Sequence, residues 1–174
     1  MQLTPVIQKF VLHWGEMGTR WGVNRTVAQI HALLYLSPKA LTAEEIAETL
    51  SVARSNVSTS LRELQGWGIV KVVHVLGDRR DHFESMKDVW EMFQVIMDER
   101  KRRECDPSMA LLRECVEQCG ESEQDAETHR RLLALLEFFE TTGQWYKQIR
   151  SLPTQAMIKF VKLGNRMGKM VGIG

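Results

Sequence analysis

Six side chains within nine residues carry the chemistry that stands out: Arg54, Ser55, Asn56, Ser58, Thr59 and Arg62. They are short hydroxyl and amide groups flanked by guanidinium groups. Between them, Val57, Leu61 and Leu64 recur at i, i+4 and i+7, the spacing of one buried helical stripe. The polar set therefore falls on the other face of the same helix. A solvated helix face is usually coated with straight-chain residues, because Ser, Thr and Asn form helices less well. Their concentration here calls for a partner that small polar groups can approach closely. Base edges and phosphates in a DNA groove are such a partner. A plain small-residue packing face is the competing reading, and the separate apolar stripe weighs against it.

The elements that position this face can be read outward from it. Thr42 and Glu45 form a capping box, and Ile46, Ala47 and Leu50 make the apolar side of the helix it starts. Ser51 to Ala53 is a turn, and the polar helix runs from about Arg54 to Trp67. Gly66 and Gly68 punctuate its end. Ile69–Val75 is rich in β-branched residues and predicts a strand, Gly77-Asp78 a turn, and His82-Phe83-Glu84 a return strand. Arg79 and Arg80 then sit at a hairpin tip, suited to phosphate contact or to a narrow minor groove. The plainer reading of that tip is a solvated loop paired internally with Asp78 and Asp81. Helix, turn, helix and hairpin make a winged helix-turn-helix, and Ala40-Leu41 can add a third strand.

The run S-N-V-S-T-S-L-R-E-L-Q-G-W-G-I-V, followed by G-D-R-R-D, resembles the MarR-type winged helix regulators, and more narrowly their GbsR branch. K-D-V-W-E-M-F and E-R-K-R-R-E-C-D-P downstream are similar to that branch as well, so the resemblance spans roughly residues 1–165. Ala53 departs from it, since a capping Ser or Asp is frequent there. The resemblance implies a ligand-responsive repressor that binds a palindromic double-stranded DNA operator as a homodimer. It places the first helix in the dimer interface, which makes Phe10 and Trp14 dimer candidates. It also implies control of osmoprotectant genes in some relatives, with choline as a sensed molecule. A quaternary ammonium binds through aromatic faces, and Trp90, Phe93, Trp145 and Tyr146 are the candidates for such an effector pocket. Aromatic rings at helical spacing are more often plain core.

Elsewhere the chain predicts helices. Residues 4–21 carry Val6, Phe10, Trp14, Met17 and Trp21 at helical spacing, with Gly22 as a stop. Asn24 is placed to cap a helix over Arg25–Tyr35, with Val27, Ile30 and Leu34 inward and His31 packed or at the surface. A further helix leaves near Met86 and ends in Arg100-Lys101-Arg102-Arg103, where basic residues favour the helix dipole. Asp106-Pro107 predicts a capped restart, with Leu112, Cys115, Val116 and Cys119 on its apolar side. The last long helix, about Ala126–Leu152, has two apolar faces, one with Leu132, Leu135, Leu136, Phe139, Tyr146 and Ile149, the other with Phe138, Trp145 and Leu152. Burial from two sides is what a central dimerisation helix requires, so Leu132, Leu136 and Phe139 join the dimer candidates. Pro153 ends it, a short helix to Leu163 follows, and Gly164, Gly168, Gly172 and Gly174 space an irregular tail. The expected class is mainly α with a small β wing: a winged unit over residues 1–85 and a helical dimerisation and effector region over 86–174.

Composition bounds the rest. At 174 residues, 44% hydrophobic and 26% charged, the chain can bury a core. The net charge of +1 excludes a polybasic nucleic-acid binder, and residues 1–88 hold ten Lys and Arg against nine Asp and Glu. Placement of charge carries the argument, not its total. There is no signal-peptide pattern or bilayer-length apolar run, and three cysteines argue against a disulfide framework. A cytoplasmic protein with no membrane partner is expected. Cys105, Cys115, Cys119 and His129 match no common zinc spacing. No nucleophile–base set and no phosphate loop is present, so neither an enzyme nor a cofactor is expected. The rival class is a winged-helix module that binds protein, which predicts exposed apolar side chains on the second helix.

Overall fold

The computed structural model describes residues 3–120 and 123–170, with side chains outside 123–124 and 164–170. The chain divides into two compact units, Met1–Ile96 and Met97–Gly174.

The first unit holds α1 (Pro5–Arg20), α2 (Arg25–Leu36), β1 (Leu41–Thr42), α3 (Ala43–Leu50), α4 (Arg54–Gly66), β2 (Val70–Val73) and β3 (His82–Ser85), together with the start of α5 (Val89–Arg100). The three short strands form an antiparallel sheet in the order β1-β3-β2, with Leu41 opposite Phe83 and Val72 opposite Phe83 on the other side. Its core is formed by Ile30, Leu33 and Leu34 of α2, Leu41, Ile46 of α3, Val57, Leu61 and Leu64 of α4, and Ile69, all at most 2% exposed. The boundary between units falls after Ile96, later than the expected 85/86. The physical reason is that Met92, Val95 and Ile96 of α5 still pack on the winged core.

Local signals explain most element ends. The Thr42 hydroxyl accepts from the Glu45 N–H at 3.2 Å, and the Glu45 carboxylate accepts from the Thr42 N–H at 2.8 Å. That backbone bond and the Lys39 ammonium lower the Glu45 pKa to about 2. Asn24 accepts from the Thr26 N–H, and Gly22 takes the left-handed conformation (φ 75°) that ends α1. Lys87 closes α2 from a distance: its Nζ donates to the carbonyls of Leu34, Tyr35 and Ser37 at 2.7–3.0 Å.

Helix α1 docks differently from its large-residue stripe. Val11, Gly15 and Gly18 are the buried positions, while Val6 is 77% and Trp21 57% exposed. Small residues let α2 approach: a Cβ at Gly18 would lie 2.5 Å from the Ala28 Cβ.

The second unit comprises the end of α5, a π-helical turn (Lys101–Cys105), α6 (Asp106–Glu117), α7 (Glu123–Arg150) and α8 (Thr154–Met170). The restart expected at Asp106-Pro107 does not occur. Residues before Pro107 continue helically and widen into the π turn, which takes up the missing proline N–H and the crowding by its ring. Asp106 accepts from Lys101 and caps nothing. α8 runs past Leu163 through Gly164 and Gly168, while Gly172 and Gly174 lie outside the described residues. Arg113 pairs with Glu140 at 2.7 Å across α6 and α7, and the Asp98 carboxylate accepts from the Tyr146 hydroxyl at 2.6 Å and from Arg150 at 2.8 Å. Among the described residues, no helix is long and apolar enough to cross a membrane.

Two consequences can be measured. His31 is buried, its Nε2 has no hydrogen-bond partner among the described residues, and burial followed by the Lys87 charge lowers its pKa from 6.5 to about 4. As pH falls, the unfolded chain takes this proton first, so stability declines between pH 6.5 and about 4, by up to about 3 kcal/mol. Urea titrations across that window will show the decline, and His31→Leu will remove it. Ala53 has N-cap backbone angles (φ −60°, ψ 139°) but no capping side chain. Ala53→Ser will raise stability by about 1 kcal/mol, read as a higher urea midpoint.

Candidate nucleic-acid interface

α4 is seated by Val57, Leu61 and Leu64, which turn its opposite side to solvent. Ser55, Thr59 and Arg62 lie at i, i+4 and i+7 along that side, with Asn56 beside them, and all four are exposed. At about 100° per residue, their stripe stands roughly opposite the buried one. None of the four makes a side-chain hydrogen bond or ion pair among the described residues, so their donors and acceptors are available to a partner.

The other two members of the expected set are engaged with the protein itself. Arg54 Nε donates to Glu44 at 2.8 Å, and its Nη1 reaches the Ser58 hydroxyl, which in turn donates to the Arg54 carbonyl. The Arg54 hydrogen bond holds the Glu44 carboxyl below its usual range. Both partners are half exposed, so the pair adds little stability. Its effect is positional, joining the start of α3 to the start of α4.

The wing divides its two arginines in the same way. Asp78 accepts from the Arg80 backbone N–H, from the Arg80 guanidinium at 2.6–3.1 Å, and lies 3.2 Å from His82 Nε2. The Arg80 hydrogen bonds hold the Asp78 carboxyl far below the usual carboxylate range. Arg79 is exposed and makes no such bond among the described residues. The tip is thus half internally paired, through Asp78, and half open. The turn is centred on Leu76-Gly77, one residue earlier than the spacing predicts: the Asp78 N–H donates to the Val75 carbonyl at 3.0 Å and Gly77 has φ 85°. Leu76, which follows the predicted strand Ile69–Val75, stands fully in solvent. Its position before a glycine was the available signal.

The remaining candidates fall as follows. Phe10 and Trp14 stack at 5.3 Å, half-buried against the winged core. Leu132 and Phe139 are half-buried and Leu136 is buried within the second unit, whereas Leu135, Phe138 and Trp145 stay 45–60% exposed. Trp90 and Phe93 belong to the first unit, Phe93 being 51% exposed. Trp145 and Tyr146 belong to the second, where Tyr146 is committed to Asp98, and burial together with that carboxylate raises its pKa. Asp98 stays below the usual range against the opposing pull of burial, through its bonds from Tyr146 and Arg150.

Residues 21–81, the winged element from the end of α1 to the wing, match the MarR family. The chain is 23% identical over 150 residues to the HTH-type transcriptional repressor GbsR of Bacillus subtilis, covering 81% of this chain and 82% of that one. A crystal structure of a transcriptional regulator superposes with a TM-score of 0.68 at 22% identity, over 84% of this chain and 96% of the other. Fold, motif and match agree: residues 21–81 form a winged helix-turn-helix that matches the MarR family, and the chain is similar to the GbsR repressor over most of its length.

Proposed function

We propose that this protein is a DNA-binding transcriptional regulator that reads the major groove with α4 and steadies itself with the wing. The observation that carries this reading is the stripe Ser55–Thr59–Arg62 with Asn56, exposed and unengaged, opposite a fully buried apolar stripe on the same helix. Hydroxyl and amide groups at that spacing can bond base edges, and Arg62 can bond guanine in a bidentate manner. Arg79 supplies the phosphate or minor-groove contact. The rival protein-binding module predicts large apolar side chains exposed on α4, and none of its described residues is one. The Bacillus subtilis relative is named a transcriptional repressor, which supports repression by occupancy of the site.

The regulator acts as a homodimer on a palindromic operator, with half-sites about one helical turn apart. The second unit supports this. Its described residues bury only Leu136 and Met157 among apolar side chains and leave Leu111, Leu135, Phe138, Trp145, Phe160 and Leu163 exposed. An apolar surface of that composition is an interface in waiting, and a second copy carries the matching surface by symmetry. A small-molecule effector with a quaternary ammonium would use exposed aromatic faces such as that of Trp145.

Two tests follow. In fluorescence anisotropy at fixed salt, on a site selected by the wild-type protein from random DNA, Arg62→Ala will cost about 1–3 kcal/mol and relax preference at one position. Arg79→Ala will weaken all sequences and reduce the salt slope by about one, while Arg54→Ala and Arg80→Ala cost less. Equal affinity of wild type and Arg62→Ala contradicts the reading. In light scattering at micromolar concentration the wild type will be a dimer. Phe138→Glu will be a folded monomer and Leu136→Glu will lose helix content, since only the second charge is forced into a packed interior. A wild-type monomer would overturn the dimer.

A further inference from the structure

The wing tip presents a side chain that groove reading by α4 leaves unused. Leu76 is 104% exposed, more than any other large apolar side chain among the described residues, and its neighbour Val75 is 45% exposed. An apolar side chain held fully in water gains nothing from the fold. Yet the turn beneath it is built with care. Asp78 N–H closes the turn on the Val75 carbonyl, Gly77 takes the positive φ that the third turn position requires, and the Asp78 carboxylate gathers the Arg80 backbone, the Arg80 guanidinium and His82. These contacts lie below the apex and fix its shape, so Leu76 is presented from an ordered turn. Three residues along, Arg79 is exposed and has no ion pair among the described residues, while Asp78 neutralises Arg80.

An apolar side chain and an exposed guanidinium on one hairpin tip fit the DNA minor groove. Its walls are the apolar faces of deoxyribose, and its narrow stretches carry a negative potential that draws arginine. The hairpin follows α4 after only Trp67, Gly68 and Ile69, so it reaches the groove next to the one α4 enters. We propose that Leu76 enters that flanking minor groove as an apolar wedge, packed on the sugars and pressing on a base step, with Arg79 beside it. This rests on the assignment of α4 to the major groove.

The test uses the full-length protein and the DNA site that the wild type selects from a random library, with 2-aminopurine placed at each flanking step in turn. Leu76→Ala will weaken binding about tenfold and abolish the 2-aminopurine fluorescence rise at one flanking step. It will leave the salt slope unchanged, because leucine neutralises no phosphate. Leu76→Met, which keeps the apolar reach, will restore both affinity and fluorescence. Wild-type affinity in Leu76→Ala, with Arg62→Ala impaired, overturns the wedge and leaves the α4 assignment standing. A change in oligomeric state of Leu76→Ala without a change in DNA affinity also overturns it and assigns the leucine to a protein contact. Failure of the wild type to select any DNA removes the α4 assignment and the wedge with it.

Discussion

Burial of Val57, Leu61 and Leu64 is the constraint on which the rest depends. Each is at most 2% exposed, and together they seat α4 against α2 and α3 in one rotation. A turn of the helix by one residue, about 100°, would expose apolar side chains worth about 1.5–3 kcal/mol each and bury hydroxyls and a guanidinium without partners. The orientation of the polar stripe is therefore a by-product of packing. The core decides which groups reach water, and those are Ser55, Asn56, Thr59 and Arg62. Glycines in α1 matter for the same reason at one remove, because they let α1 lie close on α2, which in turn supports α4.

Internal ion pairing makes the second selection. The chain has almost no net charge, so no general field draws it to a polyanion. Glu44 and Asp78 each take one arginine, Arg54 and Arg80, and use it to brace a helix start and a hairpin turn. Among the described residues, Arg62 on the helix and Arg79 on the wing are left exposed without such a pair. Recognition by few charges and several short neutral groups favours specificity over bulk attraction, since phosphate contacts position a protein and base contacts choose the sequence.

Most of the winged unit was legible because its signals are local and redundant. Thr42 and Glu45, Asn24, Gly22 and the period of Val57-Leu61-Leu64 each name an element end or a face, and each agrees with the tertiary structure. What was not legible depends on contacts distant in sequence or on small residues. The inner side of α1 is marked by glycines, which a search for large side chains passes over. Asp106-Pro107 has the composition of a helix start, yet the helix continues through a π turn, because a proline can be absorbed by local widening as well as by a break. On α7 both apolar faces were visible. Which positions the chain covers itself, Leu136 above all, and which it leaves bare, Leu135, Phe138 and Trp145, is settled only by packing within its unit. At the site, residue types were readable but their engagement was not: nothing in the order of residues says that Arg54 is held by Glu44 while Arg62 is free.

The placement of α4 can be tested directly by cutting DNA from it. With Cys105, Cys115 and Cys119 changed to serine, Thr59→Cys can carry an iron-chelate cleavage reagent, and the protein bound to its selected site can then be triggered to cut. Radicals released in the major groove give cleavage maxima offset toward the 5′ ends of the two strands. The account predicts that offset, in two clusters about one helical turn apart. Cleavage offset toward the 3′ ends, or none from this position while the protein remains bound, would contradict it.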